Sequence, residues 1–346
     1  MKRASFLHRL VLSLTAAGIV ACAPTAPRRP ADAALPLAWP APPGAERIRF
    51  VQAFSRPEEI GIKPGFLSRL VAFISGDDER RLVRPMCVAA APDGTLFVGD
   101  PGARGVHRFR LSANRYDLLC AEDGQPLPSP VGLAVDTAGT VYVVDSELGR
   151  LYTGPAEAKA LKPLALAAEL VQPTAVAVDV ARERIFIVDA KAHAVKVFGL
   201  DGRFLFTVGR RGAGDGEFNY PVSVWLGADG GFWVADSLNF RLQRFDAEGR
   251  FLSRFGSLGD AEGDFSRPKG VALDSHDHVY VVEGLFGVVQ IFSAAGEYLL
   301  SFGTLGESAG SFWLPAGIFV DGRDTIYVAD SRNGRVQVFR YTGGTP

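Results

Sequence analysis

The chain of 346 residues is poor in the side chains from which most metal and nucleophilic centres are made. It holds 5 histidines and 3 cysteines, too few for a disulfide-stapled fold or a zinc framework of repeated ligand pairs. It has no excess of charge: 37 basic against 38 acidic residues leave a net charge of -1, so the electrostatic footprint that nucleic-acid binders need is missing. It also lacks a bilayer-spanning run. The longest uncharged apolar stretch covers residues 10–21, short of the roughly 20 residues that a transmembrane helix requires. What is abundant is apolar surface, at 47% of residues, with 39 glycines and 22 prolines dispersed along the chain. That composition predicts a buried core interrupted by many turns.

Lys2, Arg3 and Arg9 precede the apolar run, as in the basic n-region and apolar core of a signal peptide. The run ends Ile19-Val20-Ala21-Cys22, which resembles the lipobox of bacterial lipoproteins. The resemblance implies removal of residues 1–21 and lipidation of Cys22, with enough acyl chain for stable anchoring. Taking the three basic residues of the leader from the 37 leaves 34 against 38 acidic ones, a mature charge of -4. Ala23 follows the modified cysteine, and by the same resemblance a residue other than Asp there implies export to the outer membrane. Residues 22–46 carry seven prolines among alanines and are expected to run as an extended polyproline stalk.

Within a propeller domain expected over residues 47–341, the chain repeats itself from about residue 84 onward. Pro85, Pro130, Pro173, Pro221, Pro268 and Pro315 open successive copies at spacings of 45, 43, 48, 47 and 47 residues. The fifth copy reads Arg267-Pro268-Lys269-Gly270-Val271-Ala272-Leu273-Asp274, then Val279-Tyr280-Val281-Val282-Glu283. Four alternating runs fill each copy; in the fourth they are 222–226, 232–235, 241–245 and 251–255. A period of 40–50 residues with four strands predicts an all-β propeller of six four-stranded blades. Third runs such as Asn239-Phe240-Arg241-Leu242-Gln243-Arg244-Phe245 and Asn333-Gly334-Arg335-Val336-Gln337-Val338-Phe339 complete a pattern that resembles the NHL-repeat family.

The sixth copy stops one strand short at Tyr341. Arg47-Ile48-Arg49-Phe50-Val51-Gln52-Ala53-Phe54-Ser55 matches the missing outer strand and is expected to close the ring, so that no edge is left unpaired. Residues 56–83 are not blade-like, and Phe66, Leu67, Leu70, Val71 and Ile74 predict a short amphipathic helix over 65–75. Between blades recurs Gly209…Gly212…Gly216-Glu217-Phe218, with counterparts at Gly256…Phe265 and Gly303…Phe312. The recurrence marks turns and an apolar plug rather than a phosphate-binding loop.

Related six-bladed propellers include metal-dependent lyases and lactonases, whose ligands ring the central channel. The positions next to each blade-opening proline are Met86, Val131, Thr174, Val222, Lys269 and Ala316; only Lys269 is charged. The next but one are Cys87, Gly132, Ala175, Ser223, Gly270 and Gly317, so no metal, cofactor or catalytic group is expected there. Asp100, Asp145, Asp189, Asp236, Glu283 and Asp330 end the second strands and are expected to cap turns or pair with arginines such as Arg150, Arg241 and Arg335. Cys87 and Cys120, two strands apart within one blade, are expected to stay unbridged. His107 and His193 are read as packing or surface residues on third strands, and His276 and His278 as turn residues at the opposite end.

Loops joining second to third strands share one face with the linkers between blades. Leu238, Phe240, Leu285 and Phe286 in those loops, with Tyr220 and Trp313 in the linkers, form the candidate partner-binding surface. The expected function is a lipid-anchored NHL propeller acting as a protein-interaction scaffold in the cell envelope, without nucleic acid. The alternative is a metal-dependent lyase or lactonase of the six-bladed type.

Overall fold

The computed structural model describes residues 37–63 and 80–343. The signal segment with Cys22, the stalk up to residue 36 and the helix expected over 65–75 lie outside the described residues. Among the described residues no helix is long and apolar enough to cross a membrane.

Valine, isoleucine and phenylalanine recur between Gly and Asp turns, and they form six antiparallel sheets, five of them meanders of consecutive strands and the sixth joining strands from the two ends of the repeat. The chain is a six-bladed propeller. The innermost strands are Cys87–Ala90, Pro130–Val135, Pro173–Asp179, Pro221–Leu226, Pro268–Leu273 and Ile318–Val320. The second strands lie between neighbouring blades, which is why they read as continuous apolar runs: every residue of Phe232–Asp236 and of Val279–Glu283 is buried. Outer strands such as Phe251–Phe255 face solvent and mix residue types.

The ring closes as the sequence predicts. Ile48–Phe54 pairs antiparallel with Arg335–Tyr341, aligning Ile48 with Tyr341, Phe50 with Phe339 and Phe54 with Val336. The two ends of the chain's repeat are thereby held in one sheet, so separating the first and last blades requires breaking a strand pair. The expected stalk ends earlier than residue 46. Ala38–Trp39 adds a fifth strand against Ile48 and Arg49, because the Trp39 indole packs between Phe302 and Phe339, each at a centroid distance of 5.8 Å. Within residues 56–83, the described part contains one turn of 3-10 helix, Pro57–Ile60, and Ile62 and Leu82 are buried against blades 1 and 6.

The interblade repeat is a packing device. Phe218, Phe265 and Phe312 are fully buried and bridge back to Arg211, Leu258 and Leu305. Gly209, Gly256 and Gly303 hold φ of 87°, 98° and 90°, and a Cβ on any of them would collide with the plug ring. Each buried ring contributes about 1.5–3 kcal/mol.

Candidate functional site

The second-strand carboxylates do not form an open ring of ligands. All six are completely buried, and each accepts backbone N–H groups from the linker that enters its blade. Asp100 takes Val83 and Arg84, Asp145 takes Ser129, Asp189 takes Val171 and Gln172, Asp236 takes Asn219, Glu283 takes Ser266 and Arg267, and Asp330 takes Trp313. The third strand completes the knot. Arg241 Nε donates to Asp236 at 2.9 Å while its other nitrogens reach Ala213, Gly214 and Glu217 carbonyls. Asn239 and Gln243 add bonds to the same carboxylate, and Arg335, Asn333 and Gln337 repeat the arrangement on Asp330. The expected arginine pairing therefore holds for Arg241 and Arg335, whereas Arg150 is exposed beside a surface cleft. In blade 3 Lys196 takes the place of the glutamine and contacts Asp189 at 2.9 Å.

These surroundings set the acidities. Burial raises Asp236 above the ordinary carboxylate value despite its donors. For Asp100 and Asp189 burial acts the same way, but bonds from His107 and Lys196 and from backbone N–H groups prevail and hold both below it.

The histidines serve the framework. His107 is buried with Nε2 3.5 Å from Asp100 and Nδ1 2.9 Å from the Tyr116 hydroxyl. His193 sits in the turn before Ala194–Gly199 rather than on the strand, in a left-handed conformation at φ 55°. Its Nδ1 accepts the Tyr220 N–H at 3.2 Å, and the two rings meet edge to face. His276 and His278 lie between first and second strands, at the end of the propeller opposite the linkers, where both rings contact Tyr341. Cys87 and Cys120 are unbridged; burial pushes the Cys87 thiol up to about 12.

The inner strands enclose a channel of about 470 Å³, within the range of small-molecule sites. Chain direction orders its wall. Residues at the start of each inner strand ring the linker-face mouth, and those four positions after the proline lie deeper. Ser129, Ser146, Gln172, Thr174 and Lys269 make the mouth polar, whereas Val88, Leu133, Val176, Val224, Val271 and Ile318 make the middle apolar. Deeper, Trp225 of blade 4 and Phe319 of blade 6 reach past the intervening blade and meet at a centroid distance of 5.6 Å, narrowing the tube. The sequence shows these two aromatics where the other blades have alanine, but the contact between non-adjacent blades was not read from it. Among the described residues Lys269 is the only charged side chain in the wall. Burial, with Arg267 adding to it and Glu283 opposing, lowers its pKa below the usual lysine value. Among the described residues no group of three or more His, Cys, Asp or Glu could hold a metal ion, and the channel's side-chain donors of one thiol, one thioether, one amide, hydroxyls and an amine include no carboxylate or imidazole.

The candidate partner residues share the linker face. Tyr220 (38% exposed), Leu238 (41%), Leu285 (53%) and Trp313 (40%) present apolar surface. Phe240 and Phe286 are half-buried, and Phe240 packs onto the core between blades 4 and 5, so they support the surface more than they offer it. Residues that sequence reasoning passed over join the same face: Leu148, Val171, Leu258, Leu305 and Leu314, all exposed.

This geometry agrees with the relatives. Residues 172–255 match a family model described as a 6-bladed beta-propeller, and residues 312–339 match the NHL repeat. The fold is a six-bladed β-propeller, and one segment of its last blade matches the NHL repeat. No curated protein matches the chain in sequence. Solved structures similar in fold include a protein of unknown function from Bacteroides thetaiotaomicron, at 16% identity and TM-score 0.59, covering 83% of this chain and 75% of that one. Virginiamycin B lyase from Staphylococcus aureus follows at 14% identity and TM-score 0.53, covering 74% and 80%. Kuenenia stuttgartiensis hydrazine synthase is similar at 13% identity and TM-score 0.53, covering 75% and 96%. At such identities the likeness is one of fold.

Proposed function

We propose that the chain is a lipid-anchored NHL propeller that serves as a protein-interaction scaffold in the bacterial envelope, held through Cys22 in the outer membrane. The observation that carries the scaffold reading is the apolar rim of the linker face, where Tyr220, Leu238, Leu285 and Trp313 are each more than a third exposed. Isolated surface leucines are ordinary, but apolar side chains contributed by consecutive blades to one face mark an interaction surface. Its Tyr and Trp are the residue types that dominate binding energy in such surfaces. The likeness in fold to virginiamycin B lyase makes a lyase the second reading, but among the described residues the channel wall holds no carboxylate or imidazole.

The test compares wild-type protein with the double variant L238S/L285S after cross-linking in intact cells. One dominant envelope protein retained by the wild type and lost by the variant supports the scaffold. Equal capture by both, or none by either, overturns it. The anchor is tested by Cys22→Ser, expected to move the protein from the membrane to the soluble fraction.

A further inference from the structure

Charge is unevenly placed on the linker face. Two rows of residues border the channel mouth. One lies just before the blade-opening prolines and includes Ser129 and Gln172 of the channel wall. The other lies two places beyond the buried carboxylates and includes Leu238 and Leu285 of the rim. The charged members of these rows are Arg84, Lys191, Arg267 and Arg332 against Glu147, all exposed. Four cations less one anion leave +3 around the mouth of a chain whose net charge is -1. Arg267, Arg332 and Arg84 stand on blades 5, 6 and 1, which ring closure makes neighbours. The Ser331 hydroxyl donates to Met86 Sδ at 3.3 Å, and a Cβ on Gly284 would lie 3.4 Å from the Pro315 carbonyl oxygen. Lys191 and Glu147 belong to blades 3 and 2, outside this arc.

The acids nearest the arc are spent on other donors. Asp100 accepts from the Val83, Arg84, Gly102 and Ala103 N–H groups, and Glu283 from those of Ser266, Arg267 and Leu285. These carboxylates hold the main chain of Arg84 and Arg267 and leave the side chains to solvent. Asp330 is taken by Asn333, Arg335 and Gln337. Among the described residues the side chains of Arg84, Arg267 and Arg332 make no hydrogen bond or ion pair. Arg332 lies over the Trp313 ring at 5.6 Å, a contact that leaves its N–H groups unspent. The exposed acids of the same face are peripheral. Gly263 and Gly310 abut Tyr298 and Trp39 of the outer strands, and Glu262 and Glu307 are close to them in the same linkers.

Resting on the scaffold reading above, we propose that the partner is an acidic protein surface whose carboxylates engage Arg84, Arg267 and Arg332, while its apolar side chains meet Tyr220, Leu285 and Trp313. Charges that flank an apolar patch select the partner and speed its approach more than they tighten it. A nucleic acid carries its charge in an unbroken backbone, which would run past Glu262 and Glu307 as well as across the arc. A folded protein can present its acids to the arc alone.

A photo-cross-linking amino acid at Leu285, irradiated in intact cells, tests the assignment in an otherwise unchanged chain and in three variants. R84E/R267E is expected to lower the adduct yield about tenfold, whereas R84K/R267K, which keeps the charge, and K191E, outside the arc, should stay within about threefold. All three replace exposed side chains and are expected to melt with the parent. Mass spectrometry should place the adduct in a segment of the partner rich in Asp and Glu. An unchanged yield in R84E/R267E, an equal loss in K191E, or a cross-linked segment without an acidic excess would each overturn the acidic partner and leave the scaffold standing. No adduct even from the parent chain would overturn both.

Discussion

Replacing Asp236 by alanine should destabilise the propeller out of proportion to the three atoms removed. The carboxylate is fully buried and accepts from Asn219 N–H at 2.7 Å, Asn239 Nδ2 at 2.8 Å, Arg241 Nε at 2.9 Å and Gln243 Nε2 at 3.2 Å. Its loss strands the Arg241 guanidinium, itself only 5% exposed. Removing one member of a buried pair costs about 3–5 kcal/mol. Arg241 keeps its bonds to the Ala213, Gly214 and Glu217 carbonyls, which offsets part of that, so about 3 kcal/mol is expected. Arg241→Met alone should cost about 2 kcal/mol, since Asp236 retains three donors and each net bond is worth about 1 kcal/mol. Because both changes cut the same contact, the double variant should be less destabilised than the sum by at least about 1 kcal/mol. Urea unfolding of the C22S chain reads these values as shifts in midpoint at constant slope. A cost under about 1 kcal/mol for Asp236→Ala, or strict additivity, would refute the view that the buried carboxylates tie linker to blade.

Phe54→Ala is expected to cost about 3–4 kcal/mol by thermal or urea unfolding, because this residue of the closing strand is 1% exposed and meets Phe109 of blade 1 edge to face at 5.4 Å; a change below about 0.5 kcal/mol would mean that the strand does not close the ring. Iodoacetamide at mildly alkaline pH should label Cys120, which is half-buried, well before Cys87, whose thiol burial raises to about 12; equal labelling by mass spectrometry would contradict the packing of the first inner strand. Acid should weaken the fold through Asp100 and Asp189, whose folded values lie below the ordinary one. Their contribution is complete above about pH 4 and is lost as the pH falls through the lowered values. Asp189→Asn should therefore flatten the acid limb of a stability-against-pH profile, and an unchanged limb would contradict this sign. Asp236, raised by burial, has the opposite sign and relieves a cost on protonation.

Much of this architecture is legible in the sequence because a repeat fixes many positions at once. Six prolines at nearly constant spacing define the inner strands, and Arg47–Ser55 is recognisable as a displaced outer strand because it repeats the pattern of residues 250–256. The carboxylates at the ends of the second strands were readable as structural for the same reason: a residue present in every blade is doing something that every blade needs. What escaped was what occurs once. Leu37, Ala38 and Trp39 sit among prolines and read as stalk, yet Trp39 finds an aromatic slot made by Phe302 and Phe339, which no local pattern announces. Trp225 and Phe319 are separated by 94 positions in the sequence numbering and meet only because the ring brings blades 4 and 6 to one axis. Lys269 was visible as the sole charge of its row, but the space that Gly284 leaves beside its stem was not.

The claim that the linker face is the working face is tested most directly by placing a photo-cross-linking amino acid at Leu285 and, in a second strain, at His276 on the opposite end. Irradiation of intact cells should give a discrete adduct of one envelope protein from position 285 and none from 276. Adducts from 276 alone, or an identical set from both positions, would contradict the assignment of the partner surface to this face.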